Sequence, residues 1–568
     1  MRSFTLLRTW KRLQVSYYGG RYSVHRLLAL ETYTKTTPLW RVLLVCVGTP
    51  LPMAILIFIQ ESMPLRDPRD GWSANYGQWI RAMMLTFVIT YSTTSPVGHF
   101  IDGITFSQRQ LILLCSCVSV LVSACTMVIA AYVIFPIPFS VLTMTPVYNI
   151  VYIISFRLVM GADVIRRTKT QPEQFKRYMD NLHAQILMMF VYPAYEVLFR
   201  TAEGSHYHLL VIWLLPVIKV VIKNIMRRCT MHAEDMVPEA VIFTVDFFNA
   251  IYVATCMQTA SSTLSVVAIT VTDLSQTIIM LYGLYRRTAV ISSTITNTAE
   301  SPLNTMVQDK FLNVVCSLCR NSEKLKKQVR AGIKIRSCFS YYLFAEDISL
   351  LDTLDATTKA DCEQSTKSSE VIPVPTASDI PFRENISNQK SLFCLWNRND
   401  SVYPTVDLVN LTTPSNGKKN RKVIRRKTTE HPTFFGDSLE ALFTIECLVL
   451  TTYLEAVIPL FYTTYIIVMV HLPSATFHSE MAGITPETVG GRILPVFMFG
   501  LLEVASFALL AAMIKQNCMM RAWYQLAFVL ESQKLLIQTK LIVWMMITLC
   551  FRVMHFGTFC YTLFAFRL

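Results

Sequence analysis

The chain has 568 residues, of which 52% are hydrophobic and only 16% are charged. Ordinary globular proteins carry about 25% charged residues, so this composition argues against a soluble protein of that size. The net charge of +14 would favour nucleic-acid binding in a soluble protein. Here the basic residues border apolar segments, which indicates contact with anionic lipid headgroups and argues against nucleic acid.

The first 38 residues form a basic arm that contains seven Lys and Arg residues and one acid, Glu31. The arm lacks the apolar core of a secretory signal peptide, and we interpret it as cytoplasmic. A mitochondrial presequence is the less favoured alternative, since such segments are also basic and poor in acids. Residues 22–34 are predicted to form a short helix on the membrane surface.

Eleven apolar segments follow, each long enough to cross a hydrocarbon core of about 30 Å. Lipid cannot satisfy an open backbone, so the spans should be helical. The predicted fold is an all-α polytopic bundle of about eleven spans. Residues 439–470 fit either one tilted helix or a helix with a re-entrant piece. The predicted spans are residues 39–59, 79–95, 111–135, 140–162, 183–199, 209–222, 237–260, 264–285, 439–470, 493–514 and 541–564.

Lys and Arg fall mainly on every other connection between these spans. This alternation is the pattern of the positive-inside rule. It predicts a cytoplasmic N-terminus, a cytoplasmic loop over residues 286–438 and a C-terminus on the opposite side. The predicted organisation is an arm (1–38), eight spans (39–285), the loop (286–438) and three spans (439–568). The plasma membrane or an endomembrane is favoured over a mitochondrial membrane.

The long loop is predicted to contain an amphipathic helical part, residues 305–344, and a disordered, basic part, residues 352–427. Just before the ninth span, basic residues suited to anionic lipid headgroups are concentrated. Thr428 and Thr429 follow them as candidate phosphorylation sites. The alternative is that the run only fixes the orientation of the ninth span. Its basic residues are Lys418, Lys419, Arg421, Lys422, Arg425, Arg426 and Lys427.

Ionisable residues inside the predicted spans are the candidate functional residues, because a charge in the bilayer is costly. They would line a polar pathway that binds a cation or relays protons. The alternative is that buried pairs, Arg157 with Glu196 and Arg552 with Glu503, hold the helices in register. Lys219 and Lys223 are expected to extend to the membrane interface. The candidates are Asp246, Asp273, Glu446, Glu455, Glu503, Arg157, Glu196 and Arg552, with His555 beside the last.

No catalytic or nucleotide-binding motif is present in the sequence, so no enzyme activity, cofactor or metal site is expected. The span count, the prolines within spans and the buried acids favour a transporter or channel for a small solute or ion. The alternative is a non-transporting receptor or scaffold that presents the long loop to cytoplasmic protein partners. A membrane-embedded enzyme is the least favoured class.

Several short motifs resemble a known family. A basic arm with Tyr-Tyr-Gly-Gly-Arg-Tyr-Ser at residues 17–23 leads to Thr-Pro-Leu-Trp-Arg at residues 37–41. Later, Pro-Glu-Ala at residues 238–240 precedes Asp-Phe-Phe-Asn-Ala at residues 246–250. This pattern is similar to a large family of uncharacterised multi-pass membrane proteins of water moulds. The resemblance implies an all-helical membrane fold and assigns no activity.

Overall fold

The computed structural model describes residues 20–202, 207–230, 234–260, 262–298, 310–320, 334–367 and 434–556. These residues form an all-helical membrane protein, as the apolar segments predict. Its main unit comprises residues up to Asp355 and from Pro432 onward. The α-helices in chain order are α1 (Val24–Thr36), α2 (Leu39–Gly48), α3 (Leu51–Ser62), α4 (Tyr76–Thr94), α5 (Val97–Phe100), α6 (Gln108–Tyr132), α7 (Ser140–Thr143), α8 (Thr145–Met160), α9 (Ala162–Thr170), α10 (Pro172–Ala202), α11 (His208–Thr230), α12 (Phe247–Thr259), α13 (Thr263–Thr298), α14 (Lys310–Arg320), α15 (Ala345–Lys367), α16 (Phe434–Met469), α17 (Val489–Cys518), α18 (Ala522–Ser532) and α19 (Lys534–Cys550).

Among the described residues, eight helices are long and apolar enough to cross a membrane, and two bent pairs raise the number to at most ten. Helix α4 covers the predicted second span, but it does not belong to either group. The fourth predicted span is one bent pair, in which α9 turns by 108° from α8. The multi-pass character is therefore clear, while the eleventh crossing depends on the weakly apolar α4.

Residues 439–470 lie almost entirely within one continuous helix, α16, which removes the re-entrant alternative. Pro459 lies inside it, and prolines are tolerated in membrane helices because neighbouring groups satisfy the freed carbonyl. Most residues of Phe435–Met469 are buried, and every residue from Pro238 to Gln258 is buried. Helices that are apolar on all sides and buried form the centre of a bundle. The other spans surround them and expose apolar side chains outward.

The last predicted span is wrong in its bounds. Helix α19 begins at Lys534, is bent by 82° from α18, and ends at Cys550. Arg552 and His555 therefore lie beyond the helix, in a turn and a 3-10 segment. The apolar residues after Cys550 suggested a continuing span, but Phe551 to Phe556 fold back on the bundle, with an isolated bridge between Val553 and His478.

The N-terminal arm also differs from its prediction. Helix α1 does not lie on the surface, because Tyr22, Leu27 and Leu28 are completely buried. Its backbone is fixed by residues from the long loop: Val24 N–H donates to Lys334 at 3.1 Å and His25 N–H donates to Ile335 at 3.0 Å. The arm is thus part of the folded unit from residue 20 onward.

The long loop is partly folded. Residues 310–320 form α14, in agreement with the predicted amphipathic helix, but residues 334–344 are not helical. Helix α15 reaches Lys367, so it overlaps the start of the segment predicted to be disordered, residues 352–427, and that disorder stays a prediction. Hydrophobic residues at helical spacing, Ile348, Leu351 and Leu354, support this helix. The basic run, Thr428 and Thr429 lie outside the described residues.

Candidate functional site

Helix α16 carries polar residues at three levels, and each level meets a separate buried cluster of charged groups. Glu446, Glu455 and Tyr462 mark these levels and are 5% exposed or less. At 1.5 Å per residue, the levels are about 14 Å and about 10 Å apart along the helix. We call the three groups the arm-side, central and far-side clusters, since the first contains α1.

The central cluster joins two lysines of α11 to acids of two other elements. Lys223 Nζ lies 2.6 Å from Asp246 Oδ1, and Lys219 Nζ lies 3.8 Å from the same oxygen. Lys219 also forms an ion pair with Glu455. Thr451 of α16 donates a hydrogen bond to Asp246 Oδ2 at 2.9 Å. Lys219 and Lys223 are one helical turn apart, so both side chains reach the same side of α11.

Two further acids extend the central cluster. The carboxyl groups of Asp273 on α13 and Glu503 on α17 interact with each other. Both residues are buried, and within the described part of the chain one oxygen of each has no hydrogen-bond partner. Two facing carboxylates repel each other unless a proton or a cation lies between them.

Asp246 ends an unusual backbone segment. Pro238–Asp246 is a π-helix that leads directly into α12, and all nine residues are buried. A π-helix is rare and often lies at a functional site, because the extra residue per turn reorients side chains. Pro238 at its start needs no hydrogen-bond acceptor, since proline has no N–H. The local geometry thus places the Asp246 carboxylate against α11 and α16.

A small cavity of about 20 Å³ lies beside Asp273. Its lining includes the polar side chains of Asn249, Thr272 and Gln276 as well as Asp273. A polar cavity of this size holds about one water molecule. The Asp273 carboxyl group therefore lies next to a small polar cavity inside the bundle.

The charges of the central cluster do not balance. Among the described residues, four carboxyl groups, Asp246, Asp273, Glu455 and Glu503, share the two ammonium groups of Lys219 and Lys223. Burying an uncompensated ion costs several kcal/mol even after relaxation of the protein. The cluster is therefore chemically suited to take up protons or a small cation. Among the described residues, no group of three or more His, Cys, Asp or Glu side chains has the arrangement of a metal site.

The arm-side cluster connects the N-terminal arm to α16. The Arg26 guanidinium lies 2.6 Å from Glu446 and 3.1 Å from Asp235, and the Tyr22 hydroxyl donates to Glu446. Burial and the nearby Glu446 carboxylate raise the pKa of Tyr22 well above its ordinary value, so the hydroxyl stays protonated. Gln525 of α18 donates to the Tyr22 oxygen at 3.1 Å.

The far-side cluster contains two linked sets of charges. In the first, Glu61 lies 2.6 Å from Arg81 and 3.0 Å from His478 Nε2. In the second, Arg552 forms an ion pair with Glu480 and donates to Thr255 at 2.7 Å. The Tyr462 hydroxyl of α16 lies 3.2 Å from Glu480. The two outer clusters thus lie on either side of the central cluster along α16.

The structure brings together four of the sequence-predicted candidates, Asp246, Asp273, Glu455 and Glu503, in the central cluster. Glu446 belongs to the arm-side cluster. Glu196 and Arg552 lie together on the far side, 3.8 Å apart. Arg157 is exposed on α8 and is not part of these clusters.

Both helix-register pairs proposed from the sequence are wrong. Glu196 pairs with Arg200 at 2.6 Å, one helical turn away, and not with Arg157. Arg552 pairs with Glu480 and not with Glu503. The expected extension of Lys219 and Lys223 to the interface is also wrong, since both are at most 7% exposed. Acids on neighbouring helices hold these two lysines inside the bundle.

Sequence reasoning missed several buried charged residues. Arg26, Glu61 and Asp235 lie outside the predicted spans, and Arg81 lies near the start of the predicted second span. The signal that was available is weak: Arg81 is the one basic residue within α4, where a lone charge among apolar neighbours needs a counter-charge. Glu480 and His478 gave no signal, because they lie in a loop.

Comparison with known proteins adds no family assignment: no family model matches the chain, and no curated protein or solved structure is significantly similar to it. The resemblance to the water-mould family stays a prediction.

Proposed function

We propose that the chain is a transporter of a small solute or ion, and that the central cluster exchanges protons during transport. The observation that carries the proposal is the excess of carboxyl groups, four against two lysines, in a buried position between five helical elements. Intramembrane acids of this kind are typical of proton relays and ion pathways. Transporters also place coupling sites near the middle of the bilayer, on interrupted helices.

The neighbouring elements support a coupled mechanism. Asp273 and Glu503 lie on α13 and α17, and Glu455 lies on α16, so a proton gained or lost changes the attraction between three spans. The π-helix at Asp246 supplies an irregular element at the same level. The arm-side and far-side clusters lie on either side of the central cluster along α16, as an occluded state would require. Opening one end would require the separation of one outer cluster.

The test is uptake into proteoliposomes that contain a pH-sensitive dye, with an imposed pH gradient and a panel of ions and small solutes. We expect at least one solute to be accumulated and to move protons with it. Asp273→Asn should reduce the proton flux at least about tenfold. The reason is that an amide side chain, unlike a carboxyl group, does not gain or lose a proton near neutral pH. Asp70→Asn, which changes an exposed acid, is the matched control and should retain the wild-type rate.

A second variant separates coupling from stability. Glu503→Gln should keep the wild-type melting temperature within a few degrees and lose the pH dependence of the initial rate. Folded wild-type protein that moves neither solute nor protons across the whole panel would refute the proposal. Normal coupled transport by both Asp273→Asn and Glu503→Gln would equally exclude the central cluster as the coupling site.

A further inference from the structure

A second, much larger cavity lies away from the central cluster. Its volume is about 1290 Å³, and residues of α4, α6, α8, α10 and α19 line it. Pockets for small molecules usually have volumes of about 300–1,000 Å³. This cavity is therefore suited to a ligand larger than an ordinary solute.

The cavity is elongated along the helices. On α4 its lining residues run from Gln78 to Thr93, and on α10 they run from Pro172 to Phe190. These stretches correspond to about 22 Å and about 27 Å at 1.5 Å per residue. Both lengths are a large part of the hydrocarbon core, which is about 30 Å thick. The shape fits a long chain that lies parallel to the helices.

The walls are mostly apolar and aromatic, and several polar groups among them have partners within the protein. Thr93 and Tyr148 share a hydrogen bond of 3.3 Å. Lys540 donates to Gln185 at 2.6 Å and lies 3.4 Å from Glu239, so this lysine has its counter-charge within the protein. Because these groups are already paired, the interior of the cavity is suited to hydrocarbon.

The cavity reaches side chains at the surface of the bundle. Ile153 of α8 is 65% exposed and Phe190 of α10 is 49% exposed, and both line the cavity. In a membrane, such apolar surface faces lipid. A chain can therefore enter sideways from the bilayer, between α8 and α10.

One end of the cavity is basic. Ile165, Thr168 and Lys169 of α9 line it at helical spacing, and α9 turns across the end of α8 by 108°. Residues 163–182 contain five basic residues against three acids. Arg166, Lys169 and Lys176 are exposed there. An exposed basic end next to an apolar cavity matches a ligand with an anionic head and a hydrocarbon tail.

We propose that this cavity binds one anionic phospholipid from the bilayer, with an acyl chain along α4 and α10 and the phosphate beside Lys169. The site is independent of the proposed transport activity, because its residues are not those of the central cluster. It differs from ordinary lipid contact by its enclosed walls and its charged end.

The test is native mass spectrometry of the full-length protein, released from micelles that contain either phosphatidylglycerol or phosphatidylcholine with identical acyl chains. We expect one tightly retained phosphatidylglycerol, with at least about fivefold weaker retention of phosphatidylcholine. Lys169→Ala should remove this preference. Lys515→Ala, which changes an exposed lysine outside the cavity, should leave it intact.

A variant that blocks the cavity completes the test. Ile153→Trp enlarges a side chain that is largely exposed, so it should reduce lipid retention without a loss of folding. Equal retention of the two lipids, or retention unchanged by both Lys169→Ala and Ile153→Trp, would show lipid adsorbed to the outer surface and would overturn the proposal. Loss of lipid retention with normal proton-coupled uptake would support the site and leave the transport proposal standing.

Discussion

Arg26 and Glu446 form an ion pair across 420 positions of the chain, with 2.6 Å between Nη2 and Oε1 and no solvent exposure of either side chain. The N-terminal arm is thereby attached to the central helix of the bundle. Asp235 and Tyr22 complete the contact, so the pair belongs to a hydrogen-bonded network.

Removal of one member of this pair should be strongly destabilising. Arg26→Ala leaves the Glu446 carboxylate buried without its partner, and we expect a loss of about 3–5 kcal/mol. Arg336→Ala is the matched control, since its ion pair with Asp352 is exposed and should contribute about 0–1 kcal/mol. Thermal unfolding in detergent micelles measures both. The double variant Arg26→Met with Glu446→Gln should recover part of the loss, and equal effects of Arg26→Ala and Arg336→Ala would contradict the assignment.

The arm should also make stability dependent on pH. Burial lowers the pKa of His25, and the nearby Arg336 lowers it further, while Asp235 opposes them. The folded protein therefore binds this proton less well than the unfolded chain. The contribution is complete above the ordinary pKa of 6.5 and is lost as the pH falls toward the lowered value. Melting temperature measured from pH 7.5 to 5 should fall, and the slope should be smaller for His25→Gln. An identical slope for the two proteins would assign the effect to other groups.

Replacement by alanine should have very different effects on stability at two glycines, because one is tightly packed and the other borders open space. A Cβ at Gly77 would overlap the carbonyl oxygen of Pro64, which is backbone and cannot move aside. We expect Gly77→Ala to destabilise the protein by at least about 1–3 kcal/mol. At Gly436 of α16 a Cβ meets open space, so Gly436→Ala should leave stability unchanged or raise it by up to about 1 kcal/mol. Chemical denaturation in micelles measures the stability of both variants. If Gly77→Ala is as stable as the wild type, the start of α4 does not pack against Pro64 as described.

The orientation in the membrane stays a prediction and has a direct test. If residues 286–438 are cytoplasmic, the sequons at Asn385, Asn399 and Asn410 cannot be glycosylated. The substitution Pro486→Asn creates a sequon, completed by Thr488, in the exposed loop between α16 and α17. Expression in cells with a secretory pathway should give a glycosidase-sensitive mass shift for Pro486→Asn and none for the wild type. The reverse pattern would invert the orientation.

The basic run of residues 418–427 is proposed to contact anionic lipid, independently of the cavity beside α9. A peptide of residues 417–431 should bind vesicles with anionic lipid, and high salt should weaken the binding. Phosphate on Thr428 adds about −1.5 to −2 charges and should weaken it further. Equal binding to neutral vesicles would leave only the role of orienting the ninth span.

The sequence predicts most of the fold because apolar length is a local property. Each predicted span coincides at least in part with a described helix. Residues 439–470 lie almost entirely within the single helix α16, which is one of the two predicted alternatives for them. The errors lie where packing continues a helix into polar sequence. Helix α10 begins at Pro172, well before the apolar residues from 183 onward, and α19 begins at Lys534, before the predicted start at residue 541.

The candidate site could be predicted only in part. Asp246, Asp273, Glu455 and Glu503 stand out as isolated charges among apolar residues. Their partners do not, since Lys219 and Lys223 have the sequence signature of lysines that reach the interface. Which acid meets which base depends on the neighbours of each helix, and the positions in sequence carry little of that information.

The docking of the arm has a consequence for biosynthesis. Tyr22 and Arg26 leave the ribosome early, but their acceptor on α16 is made more than 400 residues later. The guanidinium must stay hydrated during that interval, and the arm can settle only after the ninth span has been inserted. Residues 22–36 are thus made early but reach their final place late, so a chain truncated before α16 should expose them to proteases, while the complete protein protects them.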